Sequence, residues 1–262
     1  MSASAYRYPS EIPILVLTFL LVGIILLIAA GPTFCIGPIL AVIFIGFAYY
    51  LNKAHHQQLM RESLPVSPTR TPELSALAQE CVNRIRPGKV QFFVVESRQM
   101  NAYTFGIEQP NVVVLYSALF QVMDADELRF IIGHELGHVA LGHTWLNTLL
   151  GGMAGVPPSF GAAILITFAF RWWNRACEYS ADRAGLIASG SLSKSISALV
   201  KLVAPDIRSR ADFQRALALI DAEDDSVGNV LLESLSTHPM VIRRIHQLRQ
   251  FAASHPDQRL RR

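Results

Sequence analysis

His134-Glu135-Leu136-Gly137-His138 is the stretch from which the whole chain is read. In a helix, this spacing stacks two imidazoles at i and i+4 on one face. Both can then bind one zinc ion. Glu135 follows the first His, so it points near the metal without taking a ligand position. It suits a general base acting on water held there. Upstream, Asp124 and Glu127 read as an N-cap and its N3 partner. Leu128, Ile131, Ile132, Leu136 and Val139 supply apolar positions at helical spacing. The motif therefore falls well inside a helix, as the chemistry requires. The plainer reading, two solvated or packed histidines, does not account for that context.

A hydrolytic zinc needs a third protein ligand and an open position for water. One arrangement places a third His six residues beyond the second. That position is Thr144 here, and His143 is one residue out of register. A second arrangement takes a Glu from a later helix. The candidate is Glu178, in Arg175-Ala176-Cys177-Glu178-Tyr179-Ser180-Ala181-Asp182. Asp182 lies one turn beyond Glu178 on the same face and can fix the tautomer of a ligating His. The competing reading pairs Glu178 and Asp182 with Arg175 and Arg183 on a solvated face. Cys177, one residue before Glu178, should face away and pack.

H-E-L-G-H followed by E-Y-S-A-D resembles the integral-membrane gluzincin peptidases of the HtpX and CAAX-prenyl-protease type. Asn101-Ala102-Tyr103-Thr104-Phe105-Gly106 resembles that family's N-A-[FY]-x-x-G strand. Thr237-His238-Pro239 with Arg244-Ile245 resembles its C-terminal T-H-P…R-I element. The likeness covers residues 72 to 250. It implies His134, His138 and Glu178 as ligands of one Zn2+ per chain, with Glu135 as catalytic base. It places His238 and Arg244 beside the oxyanion. Between His138 and Glu178 the chain departs from the membrane-embedded members, being short for two extra full transmembrane helices.

Hydrophobic residues make up 51% of the 262 positions, too many for an ordinary soluble enzyme. The excess is local: Ile12 to Asn52 contains no Asp, Glu, Lys or Arg. Gly31-Pro32 divides this run into spans over about 12–30 and 36–51, each long enough with its flanks to cross a bilayer. They read as a transmembrane hairpin, with Tyr49 and Tyr50 at an interface. A cleaved signal peptide fits poorly, because the apolar run is too long and a second one follows. Arg7, Lys53 and Arg61 flank the pair, so the positive-inside rule places the N-terminus and catalytic domain in the cytoplasm. The expected location is the inner (cytoplasmic) membrane, multi-pass. Three cysteines suggest no disulfide framework. The net charge of +3 is modest. Its late basic residues read as a solvated tail over 256–262, with contact to anionic lipid as the alternative. No nucleic-acid motif is present.

The expected organisation is therefore a membrane hairpin over 1–55, a linker over 56–71 and a peptidase domain over 72–255. The fold class is α+β: a mainly helical zincin-type domain with a small antiparallel sheet. Glu73 to Ile85 has helical spacing, and Val90 to Val95 is a strand candidate. Asn101 to Phe105 and Asn111 to Leu115 look like a hairpin. A peptide substrate can add itself to an exposed sheet edge, and Asn101, Ala102, Tyr103 and Thr104 are the candidate edge. An ordinary buried strand is the alternative. Residues 144–170 carry no Asp, Glu, Lys or Arg, yet Gly151-Gly152 and Pro157-Pro158 break them. They read as a membrane-dipping helical pair; a further spanning hairpin and a buried helix pair stay open. The function expected is a membrane-anchored zinc endopeptidase in membrane-protein quality control. Its partners would be unfolded or membrane polypeptides and the lipid bilayer. A processing protease for a lipid-modified substrate is one alternative. A non-catalytic scaffold or chaperone with structural zinc is the other.

Overall fold

The computed structural model describes residues 3–31, 36–106, 109–151, 161–203 and 239–255. His238 and the tail 256–262 lie outside the described residues, as does the 152–160 part of the expected membrane-dipping segment. Two apolar helices come first, α1 (Glu11–Ala30) and α2 (Ile36–Glu62). The short β1 (Leu64–Pro65) and α3 (Pro72–Ile85) follow. Next come β2 (Val90–Val95), β3 (Ala102–Phe105), β4 (Asn111–Tyr116) and a short helix, α4 (Ala118–Val122). The motif helix is α5 (Ala125–Ala140), and α6 (His143–Gly151) succeeds it. Then come α7 (Gly161–Ser189), α8 (Leu192–Val203) and α9 (Pro239–Ser254).

The sheet is mixed, which corrects the expectation of an antiparallel one. Its order is β1-β2-β4-β3. β2 and β4 run parallel, while β3 pairs antiparallel with β4 and β1 with β2. The physical reason is the composition of β4. Val113, Val114 and Leu115 form a continuous apolar run, and all three are buried. Such a strand gains most by lying between two neighbours with both faces covered. The chain therefore passes over from β2 to β3 and returns by the hairpin to insert β4 between them. Backbone bonds from Ser117 N–H to Val95 O at 2.9 Å and Tyr116 N–H to Asn101 O at 3.0 Å close this arrangement. β3 is left at the edge of the sheet.

The main core gathers around α5. Asp124 caps that helix with a full capping box: its side chain accepts from Asp126 and Glu127 N–H, and Glu127 accepts from Asp124 N–H. The contact of α5 with α7 is unusually close. A Cβ on Gly133 would lie 2.3 Å from Ala188 Cβ, and one on Gly137 2.7 Å from Ala184 Cβ. Only glycine admits that approach.

α1 lays one stripe, including Ile14, Leu15, Val22 and Ile25, against Leu146, Phe170, Trp173 and Cys177. Cys177 packs there, as expected. Much of the rest of α1 is exposed among the described residues, Leu27 to 76%. Among the described residues one segment, Glu11–Ile28, is long and apolar enough to cross a membrane. A second span is not established. α2 does not end at Leu51 but runs unbroken to Glu62, through the start of the expected linker. There His56 stacks on Phe105 of β3, with ring centroids 3.9 Å apart. α7 likewise runs on from the apolar stretch to Ser189.

Candidate metal centre

His134 and His138 sit one turn apart on α5, both buried. Their Nε2 atoms face each other at 3.2 Å. α7 crosses this face and brings Glu178 to them. One Glu178 oxygen is 3.5 Å from His134 Nε2 and the other 3.4 Å from His138 Nε2. One donor atom from each residue lies within 4.8 Å of the others.

The surrounding partners set the tautomers. His134 Nδ1 lies 3.0 Å from Asp182 Oδ1, so Nδ1 carries the proton and donates it to the carboxylate. That leaves the Nε2 lone pair aimed at the cluster. His138 Nδ1 is engaged by His143 Nδ1 at 3.0 Å. Two imidazole lone pairs and a carboxylate converging without a proton between them repel one another unless a cation joins them. The set fits zinc: two His and one Glu with a side open to the cleft is a common catalytic ligand set.

Arg244, from α9, closes the back of the site. It donates to both Asp182 oxygens, at 2.8 and 2.7 Å, and its Nη1 lies 3.0 Å from Glu178. Glu178 and Asp182 thus face Arg244 and the histidines, not Arg175 and Arg183. Arg183 lies instead over the rings of Tyr8 and Phe251. Burial works against a charged Glu178, but Arg244 and the two histidines hold its carboxyl well below the usual carboxylate range. Asp182 is held low against its burial, again with Arg244 as the leading partner. Glu135 differs. Burial pushes its carboxyl up, and the neighbouring histidines only partly offset this.

A cleft of about 380 Å³ opens over this cluster. It is lined by His134, Glu135, His138, Glu178 and Arg244 and, along one side, by Asn101, Ala102, Tyr103 and Thr104. The structure therefore brings the edge strand β3 to the same cleft as the ligand cluster. Phe130, Ile131 and Leu202 also line it; of these the sequence pointed to Ile131 alone, and only as an apolar position of the motif helix. Their apolar spacing marks them only as core. His143 and Glu11 were missed as well. The one available signal was that Glu11 is the last acid before a long uncharged run.

A mainly helical domain with a small sheet, carrying H-E-x-x-H on one helix and a Glu from a later helix, defines a metallopeptidase. The chain belongs to peptidase family M48, whose profile matches residues 68–252. It is 26% identical to a protease HtpX homologue of Moorella thermoacetica, over 84% of this chain and 85% of that protein. A protease HtpX homologue of Pyrococcus furiosus is 26% identical over 90% of this chain and 92% of its own length. A plastoglobule-localized metallopeptidase 48 of Arabidopsis thaliana chloroplasts is 27% identical, over 73% of this chain. Of that longer plant protein the match spans 60%. The chain is thus an HtpX-like metalloprotease, a hydrolase acting on polypeptides.

Proposed function

We propose that the protein is a membrane-anchored zinc endopeptidase that cleaves unfolded or membrane polypeptides in membrane-protein quality control. One observation carries the reading: three side chains that could ligate a metal converge beside a buried carboxylate, in a cleft walled by a strand that lies at the sheet edge among the described residues. His134, His138 and Glu178 would hold one zinc ion. When bound, zinc supplies a Lewis acid that acidifies water and polarises the scissile carbonyl.

The rest falls to the chain's own groups. Among the described residues β3 pairs with β4 alone, so its outer side suits docking of an extended substrate by main-chain hydrogen bonds irrespective of its sequence. Glu135, with its carboxyl pushed up by burial, takes a proton from the attacking water and returns it to the leaving amine. Arg244 holds Glu178 and Asp182 in place from behind. It is so engaged with them that orienting the ligand set is its first role, ahead of donation to an oxyanion. His238 remains a candidate oxyanion donor from the family resemblance. The bare apolar faces of α1 and α2 support a bilayer anchor, and the charges around them support a cytoplasmic catalytic domain.

The test is cleavage of casein by the detergent-solubilised full chain. Chelator should abolish cleavage and zinc should restore it. Glu178→Ala should lose zinc and activity together. Chelator-insensitive cleavage, or unchanged zinc content in Glu178→Ala, would overturn the reading.

A further inference from the structure

We propose that His143 is a positioning residue for His138, and that Glu11 on α1 orients it, so the apolar N-terminal helix supplies part of the metal centre. This rests on the reading of His138 as a metal ligand. The contacts form a chain. His138 Nδ1 meets His143 Nδ1 at 3.0 Å, and His143 Nε2 lies 3.1 Å from Glu11 Oε1. The second contact is close but not aimed along a straight hydrogen bond. Glu11 and His143 are each only 1% exposed.

The tautomers follow one another. If His138 binds metal through Nε2, its Nδ1 carries the proton and donates to His143 Nδ1. His143 must then be bare at Nδ1 and protonated at Nε2, the atom that faces the Glu11 carboxylate. This mirrors the Asp182 support of His134 on the other side of the site. A charged carboxylate at the foot of an apolar helix is costly to bury without partners. Glu11 has several: Arg7 pairs with it, Ser180 of the Glu178-bearing helix donates to it, and His143 faces it.

The segment leading into α1 is fastened to both site-bearing helices. Arg7 donates to Leu141 O at 3.2 Å, at the end of α5. Tyr8 N–H donates to Ser180 Oγ at 2.8 Å, and Arg183 donates to Arg7 O at 3.2 Å, both from α7. The carboxylate that faces His143 is therefore held in register with the ligands by the same contacts that dock α1.

The test measures zinc affinity by competition with a chromogenic chelator, together with the visible spectrum of the Co2+-substituted protein, on the full chain in detergent. Circular dichroism confirms folding. His143→Leu should weaken zinc binding by about 10–100-fold, as loss of a partner behind a ligating His does, and should alter the Co2+ spectrum. His143→Gln should recover most of the affinity, because an amide can accept from His138 and donate toward Glu11. Leu packs in that pocket as well as Gln does, so equal impairment of both variants would mean a packing role and overturn the proposal. Wild-type affinity and spectrum in His143→Leu would also overturn it. Should His143→Leu not fold, Glu11→Gln decides: several-fold weaker zinc binding supports the proposal and unchanged binding overturns it. His138→Ala separates the two readings. If it binds zinc like the wild type, the assignment of His138 fails. If it loses zinc while His143→Leu does not, only the present proposal fails.

Discussion

Glu135 and Glu178 share one cleft, and their surroundings push them in opposite directions. Burial raises Glu135, whereas Arg244 and the histidines hold Glu178 low against its own burial. Such a separation sorts carboxylates into a proton carrier and a permanently charged group. Glu135→Gln should therefore lower peptide hydrolysis by at least about 10²–10⁴-fold, the range of a general base, while zinc content and fold survive. Single-turnover cleavage by the zinc-loaded variant checks this, and near-normal turnover would assign proton transfer to another group. At this scale much was legible beforehand. Residue type and i, i+4 spacing alone bring His134 and His138 onto one face. That His138 leans on His143 and Glu11 was not legible, because Glu11 lies far away in sequence on another helix.

The decisive pair of elements is α5 and α7. Their axes approach so closely at Gly133 and Gly137 that no side chain fits between them. Glu178 on α7 reaches the α5 histidines because of that approach. Gly137→Ala would put a methyl 2.7 Å from Ala184 Cβ. Overpacking of this kind costs about 1–3 kcal/mol, and it should also weaken zinc binding by prising Glu178 away. Ala184→Gly in the same chain should restore part of both. A wild-type melting temperature and zinc affinity in Gly137→Ala would show that the helices tolerate separation. The α5 cap provides a second prediction. Asp124→Ala should cost about 1 kcal/mol of stability. Burial of Asp124 is outweighed by Lys194 and by the Glu127 and Asp126 N–H groups, which hold its carboxyl below the usual value. A carboxyl lowered on folding stabilises fully above its unfolded value and loses that contribution as pH falls through the lowered one. The gap between Asp124→Ala and wild type in urea titrations should thus shrink in the acid range. A gap that persists there would mean the cap does not act through its charge. The cap was readable from Asp124 and Glu127 alone. The sheet was not, since local patterning shows strand candidates but not which strand lies between which.

At the scale of the molecule, the proposed anchor and the peptidase domain meet along α1 and α7. α1 buries one stripe on the peptidase domain, and among the described residues Val16, Leu20, Ile24, Leu27 and Ile28 stay exposed on it. α2 extends past its apolar run to set His56 against β3, the strand that lines the cleft. Both helices are thus joined to the site-bearing part instead of tethering it loosely. The topology proposed above makes a direct prediction: a reporter fused after residue 62 should be active only as a cytoplasmic fusion. Extracytoplasmic activity would invert the orientation read from Arg7, Lys53 and Arg61.

By itself the sequence determined what is periodic and local. The motif helix, its cap, the apolar N-terminal runs and the strand candidates all follow from the spacing and chemistry of neighbouring residues. It also carried the family resemblance, because motifs survive as short words. The tertiary structure alone decided what depends on distant segments meeting. β4, whose Val113-Val114-Leu115 run is fully buried, lies between β2 and β3 in a mixed sheet, and this leaves β3 at the edge beside the cleft. Glu178 and Asp182 turn to the histidines and Arg244, not to their helical neighbours Arg175 and Arg183, because α7 crosses α5 at two glycines. Glu11 ends up beside the candidate metal centre because a buried carboxylate needs partners: its near neighbour Arg7 is one, but only the folded chain brings Ser180 and His143 to it.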